Sequence, residues 1–413
     1  MQYRKVPKNG DELSVLGYGC MRLPAKMGAI DEDLARRQIY SAIDRGINYI
    51  DTAIPYHNGK SEPFLGKILG QGGYRNKVKL ATKLPHWSAH CVTDMEKILD
   101  KQLVSLKTDR IDYYLIHNLN GISWENAKEN GVIEFLDRAL KSGKIVNSGF
   151  SYHGGTEDFI QVVDEYDWTF CQIQYNYLDI QNQAGTRGLQ YAASKDLAVI
   201  IMEPLRGGNL GKTPPPEVQK LWNSADIKRP PAEWALRWIW NHPEVTVVLS
   251  GMNNDRHIEE NLAVATNATA GGLSEKEQSL VGQVRDTFRN VMKVGCTGCQ
   301  YCMPCPAGVN IPGCFDFYNS RHAFKDKSAR LYYLAMNGGV VYEKPSFASQ
   351  CIKCKLCLEK CPQSIPIPDM LEAVADDMEG FLDKPLMYII KKVMGVKKKA
   401  GKKQDDRQQT ELS

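Results

Sequence analysis

Eight of the twelve cysteines fall in two short runs near the end of this 413-residue chain. The first reads Cys296-Thr-Gly-Cys299-Gln-Tyr-Cys302-Met-Pro-Cys305-Pro306 and the second Cys351-Ile-Lys-Cys354-Lys-Leu-Cys357-Leu-Glu-Lys-Cys361-Pro362. Each offers three thiolates at two-residue gaps and a fourth followed by proline. A cubane iron–sulfur cluster needs four soft thiolates converging on one small volume, and runs of this kind wrap the chain around it. The chemistry they point to is the holding or passing of single electrons.

The second run has the spacing of bacterial ferredoxins, with the fourth cysteine three residues on and before proline. In two-cluster ferredoxins the fourth cysteine of each run ligates the other cluster. On that pattern Cys296, Cys299 and Cys302 would join Cys361, and Cys351, Cys354 and Cys357 would join Cys305. The first run is one residue shorter before its last cysteine, which leaves the crossing open. Zinc is the alternative, since CxxC pairs also bind it. Zinc sites usually take two such pairs per metal, and no histidine here is spaced to help. No secretory signal opens the chain, so disulfides are not expected and a cytoplasmic setting is. The other four cysteines, Cys20, Cys91, Cys171 and Cys314, lie in apolar or strand-like settings and read as buried structural thiols.

A second set of reactive residues lies far upstream. Asp51 ends the run Ile47-Asn-Tyr-Ile-Asp51, Tyr56 follows in the next loop, Lys83 ends Val78-Lys-Leu-Ala-Thr-Lys83, and His117 ends Ile111-Asp-Tyr-Tyr-Leu-Ile-His117. Each singly reads as a cap, a packing ring or a core group; together, at the ends of successive apolar runs, they read as chemistry. A free tyrosine has a pKa near 10 and is a poor acid. An ammonium from Lys83 would favour the phenolate and lower that pKa, with Asp51 holding Lys83 charged. His117 could donate to a carbonyl oxygen, and Tyr56 could protonate that oxygen as a hydride reaches the carbon.

The elements that must position these groups alternate. Candidate strands are Val15–Leu23, Gly46–Thr52, Val78–Lys83, Ile111–His117, Ile145–Ser151, Phe170–Tyr175, Ala198–Glu203 and Val245–Ser250. Between them run helical patterns such as Asp31–Arg45, Asp94–Leu106, Trp124–Lys141, Thr186–Lys195 and Ala232–Asn241. Such alternation implies parallel strands with crossover helices, and eight units in about 250 residues is the size of a TIM (β/α)8 barrel. An open doubly wound sheet is the alternative, but no GxGxxG follows the first strand. In a TIM barrel catalytic groups gather at the C-terminal ends of the strands, where the four residues sit.

With those residues in view, 10–265 resembles the aldo-keto reductase family: Asp51, Tyr56, Lys83 and His117 match its catalytic tetrad in order and context. The stretches Gly149-Phe-Ser151, Cys171-Gln172-Ile-Gln174, Glu203-Pro-Leu205-Arg-Gly207-Gly208, and Leu249-Ser-Gly251 through Glu260-Asn261-Leu262 resemble its cofactor-binding segments. With the cysteine runs, the chain is similar to the prokaryotic subgroup that carries a ferredoxin-like 4Fe-4S domain after the barrel. The resemblance implies a small carbonyl substrate and NADP or NAD. It places Ser151 and Gln172 on the nicotinamide carboxamide, Leu205 and Gly207 along the pyrophosphate, and Gly251, Glu260 and Asn261 at the adenosine end. Three positions depart from the family. Tyr152 stands where Asn is common, Met202 where many members stack a Tyr, and Gly251-Met-Asn-Asn254 lacks the usual grip on a 2′-phosphate, with Arg256 offset and His257 nearby. NADH or a flavin therefore stays open. Trp87, Trp124 and Tyr177 are the residues expected to shape the substrate pocket.

These readings divide the chain into a barrel at 1–273, a linking helix at 274–292 capped by Ser274, a mainly helical iron–sulfur domain at 293–375, and a C-terminal helix with a basic tail at 376–413. Phe315, Phe317, Tyr318, Leu331, Tyr332, Tyr333 and Leu334 are available to cover the clusters. Residues 391–403 hold seven lysines and no acid, while the rest of the chain carries 45 basic and 48 acidic residues. That balance excludes a nucleic-acid surface on the main body. No run nears the roughly 18 apolar residues of a membrane span. The lysine-rich end reads either as a docked helix with a polar tail or as a docking element for an acidic ferredoxin or flavodoxin. Nicotinamide exchanges hydride whereas clusters pass single electrons, and flavin is the usual mediator. Three functions follow: a nicotinamide-dependent carbonyl reductase carrying clusters, a flavin-containing ferredoxin-linked reductase, and an electron-transfer or scaffold protein without turnover.

Overall fold

Short β-branched and aromatic runs favour extended backbone, and long runs buried on both faces favour parallel pairing under helices. A computed structural model of the chain describes residues 1–267, 269–323, 325–339 and 344–387. The chain forms two compact units, Met1–Asn290 and Val291–Ser413. In the first, eight parallel strands close into a barrel. They are β1 (Leu16–Gly19), β2 (Tyr49–Asp51), β3 (Lys79–Leu84), β4 (Ile111–Leu119), β5 (Ile145–Tyr152), β6 (Phe170–Gln174), β7 (Ala198–Met202) and β8 (Val245–Ser250). β8 pairs β1 through Val248 opposite Leu16, which closes the ring. All eight strands stand where the apolar runs placed them.

Side chains alternate across a strand, so every second residue points inward. Tyr49, Ala81, Tyr113, Leu115, Phe170, Ala198, Ile200, Val247 and Leu249 form the inner core, with Val6 and Leu13 from the N-terminal hairpin. That hairpin pairs Tyr3–Lys5 with Glu12–Ser14. The intervening residues, such as Ile50, Leu80, Ile116, Phe150, Ile173 and Ile201, belong to the layer shared with the helices. Continuing the inward set by two residues reaches Asp51, Lys83, His117, Ser151, Gln172 and Met202. The barrel's alternation thus delivers the candidate site to one end.

Small residues make room for large ones inside. A Cβ on Gly149 would stand 2.5 Å from the Phe170 ring and 2.6 Å from the Phe170 carbonyl oxygen. The stretch read as one helix, Trp124–Lys141, is two helices, Gly121–Glu129 and Val132–Lys141. Asn120 caps the first in a capping box, and Gly131, at φ 85°, turns the chain into the second. Left-handed backbone of that kind favours glycine, and the apolar pattern passes over the break without a signal.

The helix Glu275–Val291, read as a linker, packs on the barrel. Glu277 lies 2.5 Å from Arg229, and Arg289 donates to the Leu178 carbonyl at 2.6 Å. Ser274 accepts from the Glu277 N–H and donates to its carboxylate, as its cap role predicts.

The second unit is helical over Ile311–His322, Ala329–Asn337, Leu356–Lys360 and Ile367–Met378. Its core includes Phe315, Tyr333, Leu334, Leu371 and Val374. Leu331 and Tyr332, expected to cover the clusters, are 66% and 57% exposed and face away from it. The basic tail lies outside the described residues, as does the chain after Met387.

Because the Phe170 carbonyl is backbone and cannot swing aside, Gly149→Ala is expected to destabilise the barrel by about 1–3 kcal/mol. All seven tryptophans lie between Trp87 and Trp240, so their fluorescence in urea reports on this unit alone. An unchanged midpoint would refute this account of the interior.

Candidate active site and cluster region

An ammonium removed from water must be paired and hydrogen-bonded. The side chains of Lys83 and Asp51 are 1% and 3% exposed. Lys83 Nζ donates to both Asp51 carboxylate oxygens at 2.7 Å and to the Thr52 carbonyl at 2.8 Å. Tyr56 Oη lies 3.3 Å from the same nitrogen. Burial pushes the Asp51 carboxyl up, and the Lys83 charge opposes that shift.

The expected depression of the Tyr56 pKa is not found. Both Asp51 oxygens hold the ammonium, and burial, followed by the Asp51 charge, raises the phenol well above 10. Tyr56 therefore carries its proton. The His117 ring stands edge-on to Tyr56, with centroids 6.3 Å apart. Burial, then the Lys83 charge, drives His117 well below 6.5, so its imidazole is neutral. Its Nδ1 is buried without a hydrogen-bond partner.

Trp87 borders the tetrad, 5.3 Å from the His117 ring and half exposed. The other two expected pocket residues do not. Trp124 is buried in the outer layer against Trp168 and donates to Glu165, and Tyr177 is buried beside Trp222 and Trp238. Aromatic residues in loops after strands look alike in sequence; the inward or outward turn is set by distant packing.

The resemblance-derived cofactor residues occupy the same end of the barrel. Ser151 Oγ accepts from the Asn118 N–H at 2.7 Å, which leaves its hydroxyl proton to donate. Gln172 Nε2 meets Met202 Sδ at 3.5 Å, while Gln172 Oε1 is buried without a partner. Tyr152 turns into the outer layer and bonds the Gly155 carbonyl at 3.0 Å. The Leu205 carbonyl accepts from the Gly208 N–H, and Gly207 and Gly208 have φ of 69° and 96°. Gly251 lies beside Arg22: a Cβ there would stand 3.2 Å from Arg22 Cβ. Asn261 donates to Ser250 Oγ at 3.0 Å, and Glu260 lies on the exposed face 3.7 Å from Arg256. His257 bonds Asn254 at the start of the same helix, Asp255–Asn267.

Several participants were missed in the sequence. Arg22 donates to the Gly207 carbonyl at 2.6 Å and ties the loop after β1 to the glycine loop after β7. Asp179 gathers Gln174, Asn176 and Arg206 at 3.0, 3.1 and 2.9 Å. Arg206, in the left-handed region at φ 47°, is thereby anchored just before Gly207. A lone arginine inside an otherwise glycine-rich apolar loop was the available signal. Cys20 is buried near Asp51 and Lys83, Cys171 is buried, and Cys314 is buried in helix Ile311–His322. Cys91 is exposed instead, at the N-terminus of helix Val92–Leu106.

The clustered cysteines line two cavities. One is bordered by Cys296, Cys299, Cys302 and Cys361. The other is bordered by Cys305, Cys351, Cys354 and Cys357, with Cys302 at its edge. The charges acting on Cys302, which burial and its neighbours push up to about 12, are those of Cys299, Cys296 and Cys361. Those acting on Cys357 are Cys351, Cys354 and Cys305. Cys314 borders neither cavity. Among the described residues no three ligating side chains gather at the spacing of a single metal ion.

Comparison with known proteins places these sites in context. Residues 15–275 match the Aldo/keto reductase family, and residues 295–365 match the 4Fe-4S dicluster domain. L-galactose dehydrogenase of Arabidopsis thaliana is 25% identical over 315 residues, covering 70% of this chain and 96% of its own. An aldo-keto reductase of Schizosaccharomyces pombe whose name specifies NADP(+) is 25% identical over 275 residues, covering 64% and 76%. Among solved structures, the holo aldo-keto reductase of Bacillus halodurans shares the fold with a TM-score of 0.58 at 24% identity, over 69% of this chain and 96% of its own. An aldo/keto reductase of Klebsiella pneumoniae, in complex with NADP and acetate, does so with a TM-score of 0.56 at 22% identity, over the same 69% and 96%.

The Lys83–Asp51 pair yields a stability test. Lys83→Met leaves a buried carboxylate unpaired and is expected to destabilise the barrel by about 3–5 kcal/mol. Adding Asp51→Asn should recover most of that loss, since removing both charges avoids the unpaired one. Tryptophan fluorescence in urea measures both; additive losses in the double variant would refute the pairing.

Proposed function

Because the chain belongs to the aldo/keto reductase family and carries a 4Fe-4S dicluster domain, we propose that it interconverts a small carbonyl compound and its alcohol by hydride exchange with NAD(P)H. Tyr56 is the general acid in this reading, and the eight clustered cysteines hold two 4Fe-4S clusters. The observation that carries it is the Tyr56 hydroxyl 3.3 Å from a buried, carboxylate-held ammonium.

The residues fit a nicotinamide. The orphaned Gln172 oxygen can accept from a carboxamide N–H, and the Ser151 hydroxyl can donate to a carboxamide oxygen. Leu205 and Gly207 line the pyrophosphate path. Gly251, Glu260 and Asn261 take the adenosine end, with Arg256 and His257 beside a 2′-phosphate when one is present. When bound, the cofactor supplies or takes the hydride.

The chain's own groups do the rest. His117, neutral, donates to the substrate oxygen and orients it. As negative charge grows on that oxygen, Tyr56 gives up its proton, and Lys83 stabilises the phenolate left behind. Asp51 fixes the ammonium so that no reorganisation is needed at that moment. The ligand sets follow the two cavities: Cys296, Cys299, Cys302 and Cys361 hold one cluster, and Cys305, Cys351, Cys354 and Cys357 the other.

Tyr56→Phe is expected to lower carbonyl reduction by about 10²–10⁴ while cofactor affinity, read by fluorescence titration, stays within a few-fold. A variant with full activity removes Tyr56 from the mechanism. Reduction needs a protonated phenol and a neutral imidazole, present below the raised Tyr56 pKa and above the lowered His117 pKa. Its rate should be flat between the ordinary values of 6.5 and 10.0, and an inflection inside that window would contradict these environments. Anaerobically purified protein should contain about eight iron and eight sulfide per chain, and Cys354→Ser about half as much. Zinc at two per chain without sulfide sinks the cluster reading.

A further inference from the structure

The two cysteine runs impose the same backbone but dress it differently. In each, the N–H two residues after the first cysteine donates to that cysteine's sulfur at 3.4 Å: Gly298 to Cys296, and Lys353 to Cys351. In each, the residues flanking the second cysteine are left-handed. They are Gly298 and Gln300, at φ 67° and 67°, around Cys299, and Lys353 and Lys355, at φ 54° and 64°, around Cys354. Glycine meets that demand without steric penalty, and a side chain there is disfavoured. The second run nonetheless carries lysine at both places, so the backbone does not account for the choice.

The surroundings differ in the same sense. Cys354 is exposed, while the other seven clustered cysteines are half-buried. The cavity of the first set is lined by uncharged residues such as Thr297, Gln300 and Phe315. That of the second set is lined by Ile352, Leu356, Lys355 and Lys360, with no acid. Ile352 and Leu356 are 68% and 52% exposed, and Leu358 adds a third exposed apolar side chain. Lys353 is held by Glu372 at 2.9 Å, and Glu359 is the one acid of residues 352–360.

We propose that Ile352 and Leu356, with Lys355 and Lys360, form the docking surface for an acidic one-electron carrier protein, beside the thiolates Cys305, Cys351, Cys354 and Cys357. The proposal rests on the ligand reading of that cavity. Two exposed apolar side chains give the contact its dry centre, and the lysines beside them match a carrier rich in carboxylates. One electron passes from the reduced centre of the carrier to the group held by these thiolates, and no covalent bond forms or breaks.

The test uses the anaerobically purified full-length holoprotein, with a bacterial two-cluster ferredoxin and a flavodoxin as acidic probes. Binding is measured by calorimetry at about 20 mM and about 300 mM salt. At least one carrier is expected to bind at low salt and to weaken about tenfold or more at high salt. Lys355→Gln with Lys360→Gln should lose about tenfold, and Ile352→Ser with Leu356→Ser a similar amount, with iron, sulfide and the electron spin resonance of the reduced protein unchanged. Lost iron in wild type would instead mark failure of the ligand reading. The docking proposal is overturned if neither carrier binds, if both pairs of substitutions bind as wild type, or if deleting residues 388–413 abolishes binding while the substitutions do not. A dimer in sedimentation that the Ile352 and Leu356 substitutions dissociate would assign the surface to a second copy, and also overturns it.

Discussion

A lysine ammonium with 1% of its side chain exposed is the constraint around which the active end of the barrel is arranged. Left alone, such a charge would shed its proton or unfold its surroundings. Asp51 answers with both carboxylate oxygens and Thr52 with its carbonyl. The three ammonium protons are shared among these three oxygens and the Tyr56 hydroxyl, the most distant of the four at 3.3 Å. The same pairing fixes the proton inventory: with the ammonium already matched, burial decides the phenol, which stays protonated, and the imidazole, which stays neutral. An acid that is fully loaded and a donor that is uncharged suit a carbonyl oxygen that becomes basic only as the hydride arrives.

Bringing these groups together is the work of strand alternation. Asp51, Lys83 and His117 each stand two residues beyond an inward residue, Tyr49, Ala81 and Leu115, on successive strands. The same step on β5 and β6 brings Ser151 and Gln172 beside them. The loops need separate anchors because they lack that periodicity. Arg22 on the Gly207 carbonyl, and Asp179 on Arg206, hold a segment whose backbone is left-handed at Glu203, Arg206, Gly207 and Gly208. Arg206 is 7% exposed, so the pair with Asp179 is a positional device more than a source of stability.

How far the sequence could be read follows from how local each cause is. All eight strands were legible because apolar, β-branched runs are local. Asp51, Lys83 and His117 end such runs and meet Tyr56 from the following loop, and the two cysteine runs stood out because the spacing inside each is local; which cysteine of one run joins the other is set by contacts distant in sequence. The break at Gly131 was not legible, since a helix pattern continues in phase on either side of it. Trp124 was placed in the pocket although it packs on Trp168, and Cys91 was placed inside although it is exposed; both depend on partners distant in sequence. The Tyr56 pKa failed for a physical reason. Lys83 was credited with lowering it, but burial of the phenol, and after it the Asp51 charge, outweighs the ammonium 3.3 Å away.

The second unit is organised around its cavities more than around a large core. Among the described residues, fifteen buried ones make up its hydrophobic cluster, and six of the eight clustered cysteines pack against that cluster from the outside. Of these, Cys302 and Cys357 are raised by burial and by the charges of neighbouring cysteines, which favours the thiol when no ligand is bound. Ligand binding must displace those protons, and the energy released is shared with folding. On the proposed ligand sets, with Cys361 beside the first three cysteines and Cys305 beside the last three, each cluster would tie segments about fifty residues apart in sequence, and losing either run would loosen the other. The chemistry of the two units remains distinct. Hydride moves as an electron pair beside a proton donor, whereas a cluster passes one electron and needs no proton. A carrier able to do both, such as flavin, is what would join them.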